Sequence, residues 1–409
     1  MKPKSYARSV GAVAGLAVHY RKDPTQLLFD ASTQAGRVVR LLDGETSHEL
    51  GILAMKLGLM PKDSRPDPEI LKTTVWGKMF STPVGLAAGF DKNGEAIQCA
   101  LDLGFSFTEI GSVTPLPQPG NPKPRVFRLV DAGAVINRYG FNNDGVDAVG
   151  QRVKDFQARR GPNPKGWLGI NLGKNKTTED AAADYCIGVA KLAPFADYLV
   201  INVSSPNTPG LRALQGRKQL ASLVSRVLQQ RDALDWAGQP PPPLLIKIAP
   251  DLTAQDKEDI AAVALDLGVE GLIVSNTTIE RPPEVAALPG GAEAGGLSGA
   301  PLFEPSTAVL RDMYRLTRGQ VPIVGVGGVA TGEQAYAKVR AGASLVQLYT
   351  SLALEGPAVI RKVKLELAAC LERDGFASVA EAVGADHRGG TDHEPSKSNS
   401  SWFWYFQRA

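Results

Sequence analysis

Eight short apolar runs, separated by segments with helical periodicity, restrict the possible folds of this chain more than any other feature. They are rich in Val, Ile and Leu and lack the polar alternation of a strand exposed on one face. Such runs are typical of parallel strands covered by helices. In chain order they begin at Pro83, Phe107, Trp167, Tyr198, Pro243, Gly271, Pro322 and Leu345.

The number and spacing of these runs predict a (β/α)8 barrel. Eight strand and helix units occupy roughly 270 residues, near the size of about 250 that is typical of this fold. Between them we expect helices over 93–103, 178–192, 219–236, 253–267, 306–318, 331–341 and 357–373. A doubly wound open sheet is the alternative, because periodicity alone does not separate the two folds.

Polar residues stand at or just after the ends of nearly all the apolar runs. The carboxyl ends of barrel strands converge on one face, where the active sites of such barrels lie. We therefore expect one site built from Lys92, Ser112, Asn171, Asn202, Lys247, Asn276, Gly328, Tyr349 and Thr350.

Two features indicate the chemistry of the ligand. GVGGV (325–329), with the hydroxyls of Tyr349 and Thr350, falls where such barrels often bind phosphate, after strands seven and eight. Asparagine is abundant in 136–144, 169–175, 201–210 and 274–278. Amides both donate and accept hydrogen bonds, which suits a planar ring edged with carbonyls and N–H groups, such as a flavin or a pyrimidine.

Charge and cysteine content exclude several classes of protein. Lys and Arg number 45 against 42 Asp and Glu, a net charge of +3. This balance gives no support to nucleic acid as a partner, because phosphate-binding faces normally show a basic excess. The cysteines Cys99, Cys186 and Cys370 are widely separated, so neither a disulfide framework nor a metal site is expected.

The two ends of the chain differ from its middle. Residues 1–22 are basic and free of acidic residues, and their apolar run at 10–18 is shorter than the about 20 residues of a membrane span. They are typical of a targeting segment or a weak membrane anchor, with a surface helix as the alternative. Residues 386–409 are polar before an aromatic ending, and we predict a disordered tail there.

Residues 23–62 predict a pair of amphipathic helices. Asp23 followed by Pro24 is a typical helix start. Thr46 and Glu49 have the spacing of a capping box for the second helix. The pair is too small to hold a core alone, so its apolar faces must meet the main domain, lipid or an apolar ligand.

Ten motifs in order resemble class 2 dihydroorotate dehydrogenase, the quinone-dependent, membrane-associated enzyme. The resemblance extends from about Leu27 to about Leu371. The motifs are VGLAAGFDKNGEA (84–96), EIGSVTPLPQPGNPKPRVFRL (109–129), VINRYGFNNDG (135–145), NLGKNK (171–176), NVSSPNTPGLR (202–212), KIAPDL (247–252), SNTT (275–278), GGLSGAPL (295–302), GVGGV (325–329) and GASLVQLYTS (342–351).

The resemblance implies oxidation of (S)-dihydroorotate to orotate in de novo pyrimidine (UMP) biosynthesis. A proton leaves C5, a hydride passes from C6 to FMN, and the electrons go on to ubiquinone. Ser205 corresponds to the family's base, where the related soluble class has cysteine. The residues alone do not distinguish Ser205 from Ser204.

The resemblance also assigns the binding residues. The substrate residues would be Lys92, Asn137, Arg138, Tyr139, Gly140, Phe141, Asn202, Asn207, Asn276 and Thr277. The FMN residues would be Ala88, Gly89, Phe90, Asp91, Lys92, Ser112, Asn171, Asn202, Lys247, Ser275, Gly299, Gly328, Tyr349 and Thr350. A cation at Lys92 suits the substrate carboxylate, and one at Lys247 suits negative charge developing on the flavin.

By the same resemblance, residues 23–62 form a hydrophobic quinone tunnel and 63–385 the FMN-binding barrel. His48 and Arg128 match the polar positions near the quinone head. The expected location is the mitochondrial inner membrane, in contact with membrane lipid. A peripheral protein of a bacterial inner membrane is the alternative.

Two other functions are compatible with parts of the pattern. A barrel flavoenzyme that passes electrons to fumarate or a nicotinamide would share the barrel motifs, but Ser205 and the helical pair argue against it. A catalytically inactive membrane-bound scaffold would require the loss of a key group, and we find none missing.

Overall fold

The computed structural model describes residues 23–161 and 164–388. The expectations for 1–22 and for 389–409 concern residues outside this described part. Residues 386–388, which we expected in the disordered tail, are part of the described structure, where Ala385–His387 form a 3-10 helix. There Asp386 forms an ion pair with Arg340, 2.6 Å from its Nη2, so the folded part continues to at least residue 388.

Eight parallel strands close into a barrel in sequence order. The prediction of a (β/α)8 barrel is therefore confirmed, and the open sheet is excluded. The barrel strands are β3 (Val84–Leu86), β4 (Phe107–Val113), β7 (Trp167–Leu172), β8 (Tyr198–Asn202), β9 (Leu244–Ile248), β10 (Gly271–Val274), β12 (Ile323–Val326) and β13 (Ala343–Leu348). Nearly every residue of these strands is buried, which explains their continuous apolar runs.

The helices that surround the barrel bury their apolar faces against the strands in one continuous core. All seven predicted helical segments contain helices, and the helix after β4 is an eighth that we did not predict. The surrounding helices are α3 (Ile97–Asp102), α4 (Gly145–Arg159), α5 (Ala181–Leu192), α6 (Arg217–Asp232), α7 (Ala254–Asp266), α9 (Phe303–Leu316), α10 (Gly332–Arg340) and α12 (Ala358–Arg373). Shorter helices are α8 (Pro283–Ala286), α11 (Thr350–Glu355) and α13 (Val379–Ala382).

Aromatic rings fill the lower barrel interior, and glycines on neighbouring strands make room for them. A Cβ at Gly85 would lie 2.4 Å from the ring of Phe107, and one at Gly169 would lie 2.0 Å from Tyr198. A hairpin of β1 (Thr73–Val75) and β2 (Lys78–Phe80) packs Phe80 on Phe107, with ring centroids 5.6 Å apart. The amino end of the barrel is thus closed, which leaves the carboxyl end for a site.

The N-terminal helical pair consists of α1 (Pro24–Val39) and α2 (Gly44–Lys56). Asp23 caps α1 as predicted, since its side chain accepts a hydrogen bond from the backbone of Gln26. The predicted capping box at Thr46 is wrong. Asp43 caps α2 instead, accepting from the backbone N–H groups of Glu45 and Thr46, because the helix already begins at Gly44.

A three-stranded antiparallel sheet that we did not predict lies beside the barrel mouth. It combines β5 (Val126–Leu129) and β6 (Ala134–Asn137), from the segment after β4, with β11 (Gly296–Gly299), from the segment after β10. Within the described ranges, no helix is long and apolar enough to cross a membrane.

Candidate active site

One cavity connects the carboxyl ends of the barrel strands with the space between α1 and α2. Its volume is about 530 Å³, within the range of about 300–1,000 Å³ that is usual for small-molecule sites. Lys247 and Gly328 lie in its wall at the barrel end, and Val39 and Leu50 at the helical end.

Most residues that the sequence assigns to ligands form this wall. His48 and Arg128 do so as well. The substrate and cofactor residues that line the cavity are Ala88, Gly89, Phe90, Lys92, Ser112, Asn137, Tyr139, Gly140, Phe141, Asn202, Ser205, Asn207, Lys247, Ser275, Asn276, Thr277, Gly299, Gly328, Tyr349 and Thr350.

Three assigned residues do not line the cavity, and their side chains contact protein groups instead. Asp91 is buried and accepts hydrogen bonds from the backbone of Glu95 and Ala96, next to the start of α3. Arg138 lies between two residues that line the cavity, but its Nη1 pairs with Glu293 at 2.6 Å. Asn171 is fully buried beneath the site. The assignment of these three residues to ligands stays a prediction.

A buried hydrogen-bond network forms the floor of the cavity. Asn202 Nδ2 donates to Ser112 Oγ at 2.9 Å, and the Ser112 hydroxyl donates to Asn171 Oδ1. Asn171 Nδ2 donates in turn to the carboxylate of Glu109 at 2.8 Å, which also accepts from Gln347 Nε2 at 2.8 Å. The network holds polar groups from β4, β7, β8 and β13 in fixed positions under one ligand.

Lys247 brings a buried cation to this floor. Its side chain is 5% exposed, and it forms no hydrogen bond or ion pair with any residue that the structure describes. Burial lowers the pKa of Lys247, while the nearby charge of Glu109 opposes that shift. A buried ammonium without a partner is costly, so the cavity suits a ligand with a negative or hydrogen-bond-accepting edge at this point.

Glycines after β12 form another part of the cavity wall. Gly327 and Gly328 both have positive φ, and a Cβ at Gly328 would lie 2.5 Å from the Cβ of Phe303. Only glycine allows the first turn of α9 to approach so closely. The Thr350 hydroxyl lies at the same end of the cavity and donates to Ser298 Oγ at 2.9 Å. Backbone N–H groups and hydroxyls of this kind bind phosphate.

The two adjacent serines after β8 have different environments. Ser204 is fully buried, and its hydroxyl donates to Asn202 Oδ1 at 2.9 Å and accepts from Asn276 Nδ2 at 2.9 Å. Ser205 lines the cavity, and its Oγ accepts from the backbone N–H of Asn207 at 3.3 Å. The structure thus distinguishes the two serines, which the residues alone did not.

Lys92 is another cation in the cavity wall, and none of the described residues offers it a carboxylate at ion-pair distance. Its Nζ lies 4.0 Å from the centroid of the Tyr139 ring. Burial lowers the pKa of Lys92 to about 7, although the charge of Glu45 opposes the shift. Amides complete this side of the cavity, where Asn207 Nδ2 donates to the backbone carbonyl of Asn137 at 3.1 Å.

His48 lies between the helical pair and the barrel mouth. Its Nε2 is 2.7 Å from the carbonyl oxygen of Phe90, and its ring contacts those of Phe90, Tyr139 and Tyr349 at centroid distances of 5.4 to 6.5 Å. Burial, together with the charge of Lys92, lowers the pKa of His48 to about 3. The imidazole is therefore neutral at physiological pH.

Arg128 secures the end of α1 at the other side of the cavity. Its guanidinium donates to the carbonyl oxygens of Arg40, at 2.8 Å, and of Leu42, and to Ser47 Oγ at 3.0 Å. Burial lowers the pKa of Arg128. The residue both lines the cavity and closes the turn between the two helices.

Three residues of the site were missed in the sequence. Glu109 and Gln347 stand inside apolar strand runs, and a polar residue at such a position is itself a signal, because its burial requires partners. Gln347 Oε1 has no partner among the described residues, although the residue lines the cavity. Arg212 links three loops by donating to the carbonyls of Ser204 and Thr277 and to Asp251.

Comparison with known proteins identifies the family. A family model described as dihydroorotate dehydrogenase matches residues 70–371. The chain is 55% identical to a protein of Oryza sativa named dihydroorotate dehydrogenase (quinone), mitochondrial, over 92% of this chain and 85% of that protein. It is 57% identical to the dihydroorotate dehydrogenase (quinone) of Rhodospirillum rubrum, over 85% of this chain and 92% of that protein.

Solved structures agree with this result. A ligand-free crystal structure of the enzyme from Eimeria tenella has a TM-score of 0.82 and 45% identity, covering 85% of this chain and 100% of that one. The crystal structure of the same enzyme in complex with ferulenol has a TM-score of 0.81, and covers 85% of this chain and 96% of that one. With a family match over most of the barrel and close relatives over most of its length, the chain belongs to the dihydroorotate dehydrogenase family, in its class 2.

Proposed function

We propose that this chain oxidises (S)-dihydroorotate to orotate in de novo pyrimidine biosynthesis, with FMN as cofactor and ubiquinone as electron acceptor. The observation that carries the proposal is the single cavity that holds Ser205, Lys92 and Lys247 and continues between α1 and α2. One cavity of this form allows substrate, flavin and an apolar acceptor to meet.

The residues of the cavity fit FMN, in a family that depends on a flavin. The unpaired cation of Lys247 and the free Oε1 of Gln347 match the polar edge of the isoalloxazine ring. The turn at Gly327 and Gly328, with Thr350, fits its phosphate. When bound, FMN accepts the hydride from the substrate and supplies the electrons that reduce the quinone.

Ser205 is proposed as the base that removes the C5 proton. The N–H of Asn207 donates to its Oγ and so stabilises the hydroxyl oxygen when it carries negative charge. The Ser204 hydroxyl already donates one hydrogen bond, to Asn202, and accepts one, from Asn276. Ser205 is therefore the accessible serine of this loop.

Lys92 is proposed to bind the substrate carboxylate, and the surrounding amides of Asn137, Asn207 and Asn276 to bind the ring. A carboxylate at Lys92 would supply the counter-charge that the cavity itself does not. Lys247 is proposed to hold positive charge against the flavin ring, where electron density increases during hydride transfer.

The helical pair, residues 23–62, is proposed as the quinone passage. Its outer surface carries exposed leucines, including Leu28, Leu41 and Leu57, which are 58%, 84% and 63% exposed. An amphipathic surface of this kind binds the membrane interface. At the inner end of the passage, the guanidinium of Arg128 is proposed to donate a hydrogen bond to a quinone carbonyl. The neutral ring of His48 is proposed to line the same end, since its Nε2–H donates to the carbonyl oxygen of Phe90.

The proposed location is the mitochondrial inner membrane, with the helical pair on its surface. Proteins of Oryza sativa, Arabidopsis thaliana and Mus musculus with this similarity are named mitochondrial, while the similar bacterial proteins leave a bacterial membrane as the alternative.

A comparison of electron acceptors tests the function. The purified chain, supplied with dihydroorotate, is given a short-chain ubiquinone, fumarate or NAD+ in separate assays. We expect rapid turnover with the ubiquinone and turnover with the other two near background. Faster reduction of fumarate or NAD+ than of the quinone would contradict the proposed acceptor.

Sedimentation with phosphatidylcholine vesicles tests the role of the helical pair. We expect the full chain to bind vesicles, and a chain lacking residues 1–22 to keep measurable binding through the exposed leucines. Replacement of Leu28, Leu41 and Leu57 by Asp in the shortened chain should abolish it. Complete loss of binding on removal of residues 1–22 alone would show that the pair is no membrane surface.

A further inference from the structure

Lys338, on α10, is a buried lysine outside the cavity wall. The residue is 0% exposed. Its Nζ donates to Ser306 Oγ at 2.8 Å and to Thr307 Oγ1 at 3.0 Å, both in the first turns of α9. Two neutral hydroxyls satisfy hydrogen bonds but leave the positive charge without a counter-ion.

The Phe303 ring lies beside this ammonium, with its centroid 5.2 Å from Nζ, but no described carboxylate neutralises the charge at close range. Lys338 forms no ion pair within the described ranges. The carboxylate of Glu304, which is exposed, raises the pKa of Lys338 through its charge. The ammonium also lies against the N-terminal end of α9, where the helix dipole is positive. Burial accordingly lowers the pKa of Lys338 to about 7. The protein alone therefore stabilises the protonated form of Lys338 only weakly.

The hydroxyl of Ser306 lies between Lys338 and the glycine turn that lines the cavity. Ser306 Oγ, which accepts from Lys338, is 3.3 Å from the carbonyl oxygen of Gly327. Gly327 and Gly328 line the cavity, and a Cβ at Gly328 would lie 2.7 Å from the backbone nitrogen of Phe303, at the start of α9. One hydroxyl and one turn of backbone therefore separate the ammonium from the cavity.

We propose that Lys338 is a positioning residue for the flavin, whose ammonium group, acting through Ser306 and the glycine turn, provides the positive charge that selects the cofactor's phosphate. The inference rests on the proposed function, because it takes FMN as the ligand. A phosphate carries close to two negative charges and supplies the counter-ion that Lys338 lacks. The charge acts at a distance and holds the turn in place, without touching the ligand.

Selectivity between FMN and riboflavin measures this effect, because riboflavin has the same ring without the phosphate. The ammonium of Lys338 would be separated from the phosphate by the Ser306 hydroxyl and the glycine turn. By Coulomb's law at an effective dielectric constant near 20, removal of its charge should weaken FMN binding about 10- to 100-fold. Riboflavin affinity should change less than about twofold, since its ring binds elsewhere. A purely structural role would lower both affinities together.

The experiment uses the full chain, first assayed for FMN content as purified and then freed of flavin. Dissociation constants for FMN and riboflavin are measured by quenching of flavin fluorescence in the wild type and in Lys338→Met. Lys338→Gln is the second variant in case the first does not fold, because its amide keeps a hydrogen bond to the hydroxyls. Lys364→Met is the matched control, since Lys364 is 1% exposed but is paired with Asp67 at 2.6 Å.

The proposal predicts that both Lys338 variants lose most of the preference for FMN over riboflavin, while Lys364→Met keeps it. Equal weakening of both flavins, or an unchanged FMN affinity, in a folded Lys338 variant would overturn the proposal. A wild-type chain that carries no FMN as purified would instead contradict the proposed function, so the two failures are distinguishable.

Discussion

Ser204 and Ser205 are adjacent in sequence, but only one of the two hydroxyls faces the cavity. Replacement of Ser205 by Ala removes the proposed base and keeps the loop, since among the described residues its hydroxyl forms one hydrogen bond, from the N–H of Asn207. We expect dihydroorotate oxidation to slow by about 10²- to 10⁴-fold with FMN still bound. The measurement is the rate of flavin bleaching after anaerobic mixing with saturating dihydroorotate.

Ser204→Ala is the matched control for this prediction. It removes a hydroxyl that bridges Asn202 and Asn276, so it should affect stability and substrate affinity more than the proton transfer. If Ser204→Ala slows flavin bleaching at saturating substrate as much as Ser205→Ala does, Ser205 is not the base.

The charge of Lys92 predicts a pH dependence of ligand binding. Because its pKa is lowered to about 7 in the free cavity, Lys92 is protonated below pH 7 and loses its proton as the pH rises above it. A carboxylate ligand requires the protonated form, so the dissociation constant of orotate should rise about tenfold per pH unit above pH 7. Orotate-induced changes in flavin absorption between pH 6 and 8.5 measure it.

The variant Lys92→Met provides the comparison. Its orotate affinity should be low and nearly constant with pH, because the titrating group is gone. A wild-type dissociation constant that is constant over the same range would contradict a titration of Lys92 near pH 7.

At the level of residues, the sequence predicts which residue types gather in the site better than it predicts what each side chain contacts. Lys92, Ser112 and Lys247 could be placed in one site because barrel strand ends converge. The ion pair of Arg138 with Glu293 could not be predicted, because the direction of a side chain between two inward-facing neighbours depends on the local path of the chain.

The helical pair and the barrel are joined by a buried ion pair between α2 and the segment before β5. Arg125 Nη2 donates to Glu45 Oε1 at 2.7 Å, and both side chains are 7% exposed. Arg125 also donates to the carbonyl oxygens of Pro119 and Asn121. Glu45 therefore connects the proposed quinone passage with the loop over the substrate side.

The substitution Glu45→Gln should weaken the attachment of α2 to the segment before β5. It leaves the buried guanidinium of Arg125 without its counter-charge, which typically costs about 3 kcal/mol or more when a buried pair is broken. It also removes the charge that keeps the pKa of Lys92 from falling further, so orotate should bind more weakly at pH 7.5. Urea denaturation and orotate titration measure the two effects.

Glu49→Gln is the control on the same helix. Glu49 pairs with exposed Lys123, at 3.3 Å, and is itself 59% exposed, so its loss should change the free energy of unfolding by less than about 0.5 kcal/mol. Equal effects of the two substitutions would contradict the importance of the buried pair.

Elements with strong periodicity could be predicted, and elements made by tertiary pairing could not. The eight barrel strands are buried on both faces, so their apolar runs are visible in the sequence. Strands β5, β6 and β11 have four residues each, and β6 and β11 are far apart in sequence, so that neither length nor alternation marks them. The start of α2 shifted because Asp43 competes with Thr46 as the cap.

On the scale of the whole molecule, the two proposed half-reactions would take place in one cavity. The charge of Lys92 affects both the substrate side and the quinone side of it. Lys92, proposed to bind the substrate, also contributes to keeping His48 neutral at the entrance from the helical pair. Lys247 lies on the barrel floor, and the glycine turn beyond β12 lies where the phosphate is proposed to bind. In the proposed arrangement the flavin would lie between the substrate and the quinone, so that both could react with it inside one cavity.

The central claim is that this one cavity takes electrons from dihydroorotate and delivers them to a quinone through bound FMN. The most direct measurement is an anaerobic titration of the purified, FMN-loaded chain with dihydroorotate, followed by ubiquinone. We predict that the yellow absorption of the flavin is lost on addition of dihydroorotate and restored by about one equivalent of ubiquinone. A fully loaded chain whose flavin dihydroorotate does not bleach, or whose bleached flavin ubiquinone does not reoxidise, would contradict the claim.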